Sequence, residues 1–130
     1  MSAPLQLLMS RQALEELGPQ LQACFGSRPW QPVLTDEASP QEQAGADLAF
    51  VSRDITGAST KFELSPALAA FYDALRASAS LRWVHVHSAG ADRPIYQELA
   101  ARGVTVTTSA GANAGNVAVT ALASLLALSR

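Results

Sequence analysis

The chain is short of charge. Asp, Glu, Lys and Arg make up 15% of its 130 residues, against about a quarter in an ordinary soluble domain. Part of the surface is therefore expected to be covered by further chain or by a partner. There is no Lys/Arg cluster and the formal net charge is −2. This argues against a nucleic-acid partner, which needs clustered cations. The lone cysteine, Cys24, excludes an internal disulfide and fits a reducing cytoplasm. Its apolar helical surroundings predict a buried structural thiol. The two histidines, His85 and His87, form a His-x-His pair, but zinc requires a third ligand and no further His or nearby Cys exists. No metal is expected. Long apolar runs are missing too. Met1 to Ser10 lacks the basic start of a signal peptide, and Val117 to Leu128 is too short for a membrane span, so a soluble protein without membrane association is expected. Walker loop, GxGxxG fingerprint and Ser/His/Asp triad signature are all absent.

What is present suffices for one domain: 48% of the residues are hydrophobic, enough for a real core at this length. Leu5 to Met9 reads as a strand, followed by Ser10 as helix N-cap. Leu14, Leu17, Leu21 and Phe25 recur at helical spacing, with a kink or a break into two helices expected at Gly18-Pro19. Pro32 to Thr35 is a second strand. Residues 36–46 read as a loop or a ragged helical turn. Asp47 to Val51 is a third strand, followed by a loop from Ser52 to Leu64. Ser65-Pro66 opens a helix carrying Leu68, Phe71, Tyr72 and Leu75. Leu81 to His87 is a fourth strand, Asp92 and Pro94 open a helix that ends near Arg102-Gly103, and Val104 to Thr107 is a fifth strand. From Asn113 onward the chain reads as one long apolar helix. Strands alternating with helices predict an α/β fold: a five-stranded parallel sheet in the flavodoxin-like order 2-1-3-4-5, with helices on both faces.

In such a sheet, ligands sit beyond the carboxyl ends of the strands. The stretch HVHSAGADRP, residues 85 to 94, lies there. Gly90 is expected to adopt backbone angles closed to other residues, so that N–H groups of Ala89, Gly90 and Ala91 converge. With the partial positive charge of the following helix start, this makes a backbone site for a small anion such as a carboxylate. The plain alternative is a turn with glycine for geometry alone. His85 reads as a hydrogen-bonded sheet residue sharing a face with Trp83, and His87, nearer the strand end, as bordering a cleft. After the third strand, Arg53 is placed to reach the same cleft, where it either meets an anion or pairs with Asp54. Thr108 to Asn113 is a second glycine-bearing turn, either a ligand contact or a cap provided by Asn113.

The stretch LRWVHVHSAGADRPIYQELAARGVTVTTSAGANAGNVAVTALASLLALSR resembles the N-terminal substrate domain of the D-isomer-specific 2-hydroxyacid dehydrogenases. The resemblance rests on the ordered run of Trp-Val strand, Ser-Ala-Gly-x-Asp, a helix closing in Leu-Ala-x-Arg-Gly-Val, a Val-Thr strand, a Gly-x-Asn turn and an Ala/Leu helix. Residues 5 to 80 agree in the order of elements. The resemblance implies an oxidoreductase acting on 2-hydroxy or 2-keto acids. It implies that the backbone at Ala89, Gly90 and Ala91 holds the substrate carboxylate, with Ser52 and Arg53 bordering the substrate. Ser109, Gly111 and Asn113 would lie beside an NAD or NADP cofactor. Residues 1–112 would then be the substrate domain, and 113–130 the start of an interdomain helix leading to a nucleotide-binding domain absent here. The family's cofactor fingerprint, catalytic arginine and Glu-His pair lie downstream and have no counterpart, so the chain by itself is expected to bind no cofactor and to be inactive. Inside the matched stretch, the family's Glu after the helix Val is replaced in Val117-Ala118-Val119-Thr120.

The last helix is apolar around much of its circumference, which predicts burial. As the end of a lone domain it would pack on further chain or on a second copy, so a homo-oligomer, most simply a dimer, is expected. The rival from a different class is a free-standing flavodoxin-like module that binds a small anion or a protein without catalysis.

Overall fold

The computed structural model describes residues 2–129. Five strands, β1 (Leu5–Met9), β2 (Trp30–Leu34), β3 (Leu48–Val51), β4 (Trp83–Val86) and β5 (Thr105–Thr108), form one parallel sheet in the order β2-β1-β3-β4-β5. This is the expected order. β1 has its expected limits, and the ends of the other strands differ from theirs by no more than two residues, as is usual at element ends. Pro32 sits in β2, an edge strand opposite Leu7 of β1. Proline is tolerated there when its missing N–H faces away from the sheet.

Helix α1 (Arg11–Phe25) begins at Ser10, whose Oγ accepts the Ala13 N–H at 3.0 Å. It runs unbroken through Pro19, so the expected division into two helices does not occur. Two short helices occupy stretches without a long apolar repeat. In α2 (Pro40–Gln43), Ser39 and Glu42 form a reciprocal capping box. In α3 (Arg53–Thr56), Gly57 closes the turn at φ 53°, a backbone region natural to glycine. Helix α4 (Pro66–Ala77) starts at Ser65 as expected, α5 (Pro94–Ala101) follows Arg93, and α6 (Ala114–Leu128) ends the described chain.

The two faces of the sheet are covered unequally. On one face, α3, α4 and α5 bury Ile55, Phe71, Leu75, Ile95 and Leu99 against Leu8, Val51, Val84 and Val86. Tyr72 and Tyr96 meet there, with hydroxyls 3.2 Å apart and rings edge to face. On the other face α1 stands alone, packing Ala13, Leu14, Leu21 and Phe25 on Leu7, Met9 and Leu34. Right-handed crossovers explain the split: the chain winds outward from β1 in one direction and from β3 in the other. On the α1 face, Trp83 is 47% exposed, and α6 does not cover it, because no residue of α6 is buried.

Cys24 is exposed, contrary to expectation. It lies seven residues after Leu17, on the same margin of α1, and Leu17 is itself 36% exposed. The sheet supports the Leu14–Leu21–Phe25 stripe and does not reach that margin. Among the described residues, no helix is long and apolar enough to cross a membrane.

Candidate functional site

The strand order reverses between β1 and β3, and in a parallel sheet a crevice opens at the carboxyl ends of that pair. Two buried serines form its floor. Ser10 Oγ, at the end of β1, lies 3.2 Å from Ser52 Oγ, at the end of β3. Ser52 donates its proton to Asp54 Oδ1 at 2.5 Å. A hydroxyl has one proton to give, so Ser10 is the donor to Ser52, and the chain Ser10–Ser52–Asp54 is polarised toward the carboxylate.

A hollow of about 690 Å³ opens beside Ser52, with Gln12, Glu16, Ser52, Arg53, Asp54 and His87 in its walls. Arg53 is exposed. The expected alternative of an Arg53–Asp54 ion pair is not formed: Asp54 is held by Ser52 instead. His87 Nε2 lies 3.1 Å from Thr56 Oγ1, and Thr56 donates its own proton to the Ser52 carbonyl at 3.2 Å. Nε2 therefore carries the hydrogen, and Nδ1 is left as an acceptor. Partial burial lowers the His87 pKa, Arg53 lowers it further, and Arg93 adds to the effect against the opposing pull of Asp54. The crevice thus holds a neutral imidazole in a field to which two guanidinium groups contribute.

Beyond His87 the chain turns through Ser88 to Arg93. Ser88 Oγ donates to the Gly90 carbonyl at 2.9 Å, and the Ser88 carbonyl accepts the Ser109 N–H at 3.0 Å, joining the turns after β4 and β5. Among the described residues, no group accepts a hydrogen bond from the N–H groups of Ala89, Gly90 or Ala91. The expected reason for Gly90 is corrected here. Its φ is not positive, and a Cβ placed on it meets no atom within 4 Å. The position has open space around it and no special backbone angle. Farther along, Asp92 pairs with Lys61. Arg93 donates to the Thr60 carbonyl at 2.8 Å and the Ser59 carbonyl at 3.3 Å. These contacts tie the turn to the loop between α3 and α4.

Ser52, Arg53 and His87 therefore line one hollow, while Ala89, Gly90 and Ala91 lie on the adjoining turn, outside its walls. The three residues expected beside a cofactor lie on the connection from β5 to α6. Ser109 Oγ lies 3.2 Å from His85 Nε2. Gly111, at φ 81°, belongs to the exposed connection to α6. Asn113 occupies the N-cap position of α6, but its side chain makes no capping bond, which overturns its expected capping role. His85 is the hydrogen-bonded sheet residue expected: its Nδ1 lies 2.8 Å from Thr107 Oγ1 and its ring stacks on Phe50. Among the described residues, no three His, Cys, Asp or Glu side chains group as a metal site.

Thr56, Gln12 and Glu16 were not singled out from the sequence. For Thr56 a signal exists: Ser52-Arg-Asp-Ile-Thr-Gly57 has a capping residue at its start and glycine at its end. For Gln12 and Glu16, only the position of α1 over the crevice reveals the role.

No family model matches the chain, and no curated protein does. Among solved structures, phosphoglycerate dehydrogenase from Lactobacillus plantarum superposes on 95% of this chain and 34% of its own, at 21% identity and a TM-score of 0.53. The PH0520 protein from Pyrococcus horikoshii OT3 aligns over 82% of this chain and 28% of its own, at 24% identity and a TM-score of 0.41, too loosely for any inference. The chain spans about a third of the length of these solved structures. At these identities, the first likeness establishes a shared fold.

Proposed function

We propose that this chain is the substrate-binding part of an NAD(P)-dependent oxidoreductase of 2-hydroxy or 2-keto acids, and that the turn after β4 receives the substrate carboxylate. The observation that carries this reading is the run of N–H groups at Ala89, Gly90 and Ala91. They are without acceptors among the described residues and adjoin the hollow that holds Arg53 and His87. Such N–H groups at a strand end suit an anion. The open space over Gly90 lets a carboxylate approach the backbone closely. Arg53, exposed in the wall of the hollow, supplies positive charge, and neutral His87 offers Nδ1 as acceptor for a substrate hydroxyl.

Two further supports are independent of that geometry. Residues 81–130 resemble the substrate domain of the 2-hydroxyacid dehydrogenases in the order of their motifs, and the fold is shared with a phosphoglycerate dehydrogenase. In this reading residues 1–112 form the substrate domain. A nicotinamide, NAD or NADP, is brought by a nucleotide-binding domain that α6 leads toward, and Ser109, Gly111 and Asn113 face it across the cleft. The cofactor supplies the hydride chemistry. This chain's part is to hold the acid by its carboxylate and fix its orientation, which lowers the entropic part of the barrier.

The test is an amide-resolved NMR titration of the 130-residue chain with pyruvate and with acetamide, its uncharged control. Saturable shifts at Ala89, Gly90 and Ala91 with pyruvate alone are expected, weakened by Arg53→Ala. Shifts absent from this turn, or equal for the two probes, would overturn the reading. The chain alone should not consume NADH in the presence of pyruvate.

A further inference from the structure

The hollow beside Ser52 is larger than the head of a small acid requires. Pockets of about 300–1,000 Å³ hold ligands of drug size, and this one measures about 690 Å³. An acid whose carboxylate sits on the turn after β4 has room to extend its remaining carbons past His87 into the hollow. What those carbons carry is then set by the walls they meet.

The walls offer mainly acceptors. Helix α1 contributes Gln12 and Glu16, and α3 contributes Arg53 and Asp54. Gln12 Nε2 donates to Glu16 Oε1 at 2.9 Å. The partner is a carboxylate, which only accepts, so the bond uses an amide hydrogen and leaves Gln12 Oε1 as an acceptor. Asp54 Oδ1 accepts from the Ser52 hydroxyl. Among the described residues, Gln12 Oε1, Glu16 Oε2 and Asp54 Oδ2 accept no hydrogen bond. The donors facing them are the second amide hydrogen of Gln12 and the Arg53 guanidinium. The cations next to the hollow are engaged elsewhere: Lys61 with Asp92, and Arg93 with the carbonyls of Thr60 and Ser59. With Arg53 drawn to the acid's own carboxylate, the far end of the acid faces the Glu16 and Asp54 carboxylates.

We infer that the hollow selects 2-hydroxy or 2-keto acids whose third carbon carries a hydrogen-bond donor, a hydroxyl or an ammonium, and disfavours those that carry a phosphate there. The inference rests on the carboxylate reading above, since it needs the head of the acid on the turn. A donor group meets the free lone pairs of Gln12, Glu16 and Asp54. A phosphate brings negative charge to walls that already hold two carboxylates. A bare methyl group finds the apolar surface of Leu17 and Phe50 but leaves the acceptors to water, and a site with hydrogen-bonding walls disfavours the analogue that lacks the matching group. Gln12, Glu16, Arg53 and Asp54 are exposed, so water screens these terms and the discrimination is several-fold.

The test is an NMR titration of the 130-residue chain with acids that share one head: D-lactate, D-glycerate, D-3-amino-2-hydroxypropanoate and D-3-phosphoglycerate. The amides of Ala89, Gly90 and Ala91 report the head, and the side-chain amide of Gln12 reports the tail. Glycerate and the amino acid are expected to bind several-fold more tightly than lactate, and 3-phosphoglycerate several-fold more weakly than glycerate. The Gln12 signal should move with the hydroxyl and ammonium tails and stay in place with lactate. Glu16→Gln should narrow the spread between the ammonium and phosphate tails. Glu15→Gln, the same loss of charge outside the walls, should leave that spread as it is. Equal affinities for the four acids, tightest binding of 3-phosphoglycerate, or the same narrowing in both variants overturns this inference, while shifts at the turn keep the carboxylate reading standing. A turn that responds to none of the acids overturns both.

Discussion

Ser10 Oγ and Ser52 Oγ, 42 residues apart in the chain, lie 3.2 Å from one another in the interior, and each also organises its own segment. Ser10 caps α1 through Ala13, and Ser52 holds Asp54 at the start of α3. The place where the strand order reverses is thus fastened by side chains as well as by the sheet. Ser10→Ala should destabilise the chain by about 1–2 kcal/mol, from the lost cap and the lost buried hydrogen bond. Urea unfolding measures it. A change within the range of neutral surface substitutions would show that the pair is not a fastening.

Partial burial lowers the pKa of both His85 and His87 below the ordinary 6.5. Below about pH 6.5 the unfolded chain then binds protons that the folded chain resists, so stability falls with pH in that window and is flat above it. The urea midpoint should drop between about pH 7 and about pH 5 by more in the native chain than in His85→Gln/His87→Gln. Parallel profiles would contradict this.

Lys61 is the single lysine of the sequence, so endoproteinase Lys-C has one place to cut. Asp92 pairs with Lys61, and Arg93 holds the carbonyls of Ser59 and Thr60. Arg93→Ala should release this loop and speed cleavage several-fold, while the urea midpoint moves little. An unchanged cleavage rate would mean that other contacts hold the loop.

Gly90→Ala should be neutral or stabilising by up to about 1 kcal/mol, since its φ is not positive and a methyl group finds open space. Gly103→Ala, at φ 86°, should cost about 1 kcal/mol. Thermal or urea unfolding of the two variants compares them directly. Equal losses would contradict the assigned backbone conformations.

Cys24, being exposed, should react with Ellman's reagent in the native chain at nearly the rate seen in denaturant. Cys24→Ser should shift stability by less than about 0.5 kcal/mol. Slow native reaction would indicate that something covers the α1 margin.

The sheet was legible in the sequence because strands end at capping residues, as with Ser10 after Met9 and Ser52 after Val51. The order followed from alternation of strands with helices. The α2 and α3 helices were not separable from loop, because one turn is too short for an apolar period to show. Cys24 misled because apolar neighbours along the chain do not define the side of a helix that the sheet supports. At the site, Arg53, Ser52 and His87 could be placed near one another from strand ends alone. The hydrogen bond between His87 and Thr56 could not, since it depends on how α3 folds back over β3. Gly90 was expected at a special backbone angle, and its φ is not positive.

Pro32 in the edge strand β2 bears on how these chains can meet. An edge strand is an open template for further strands, and a residue without an amide hydrogen spoils one rung of that template. Growth of the sheet past β2 into a ribbon of stacked copies is thereby discouraged.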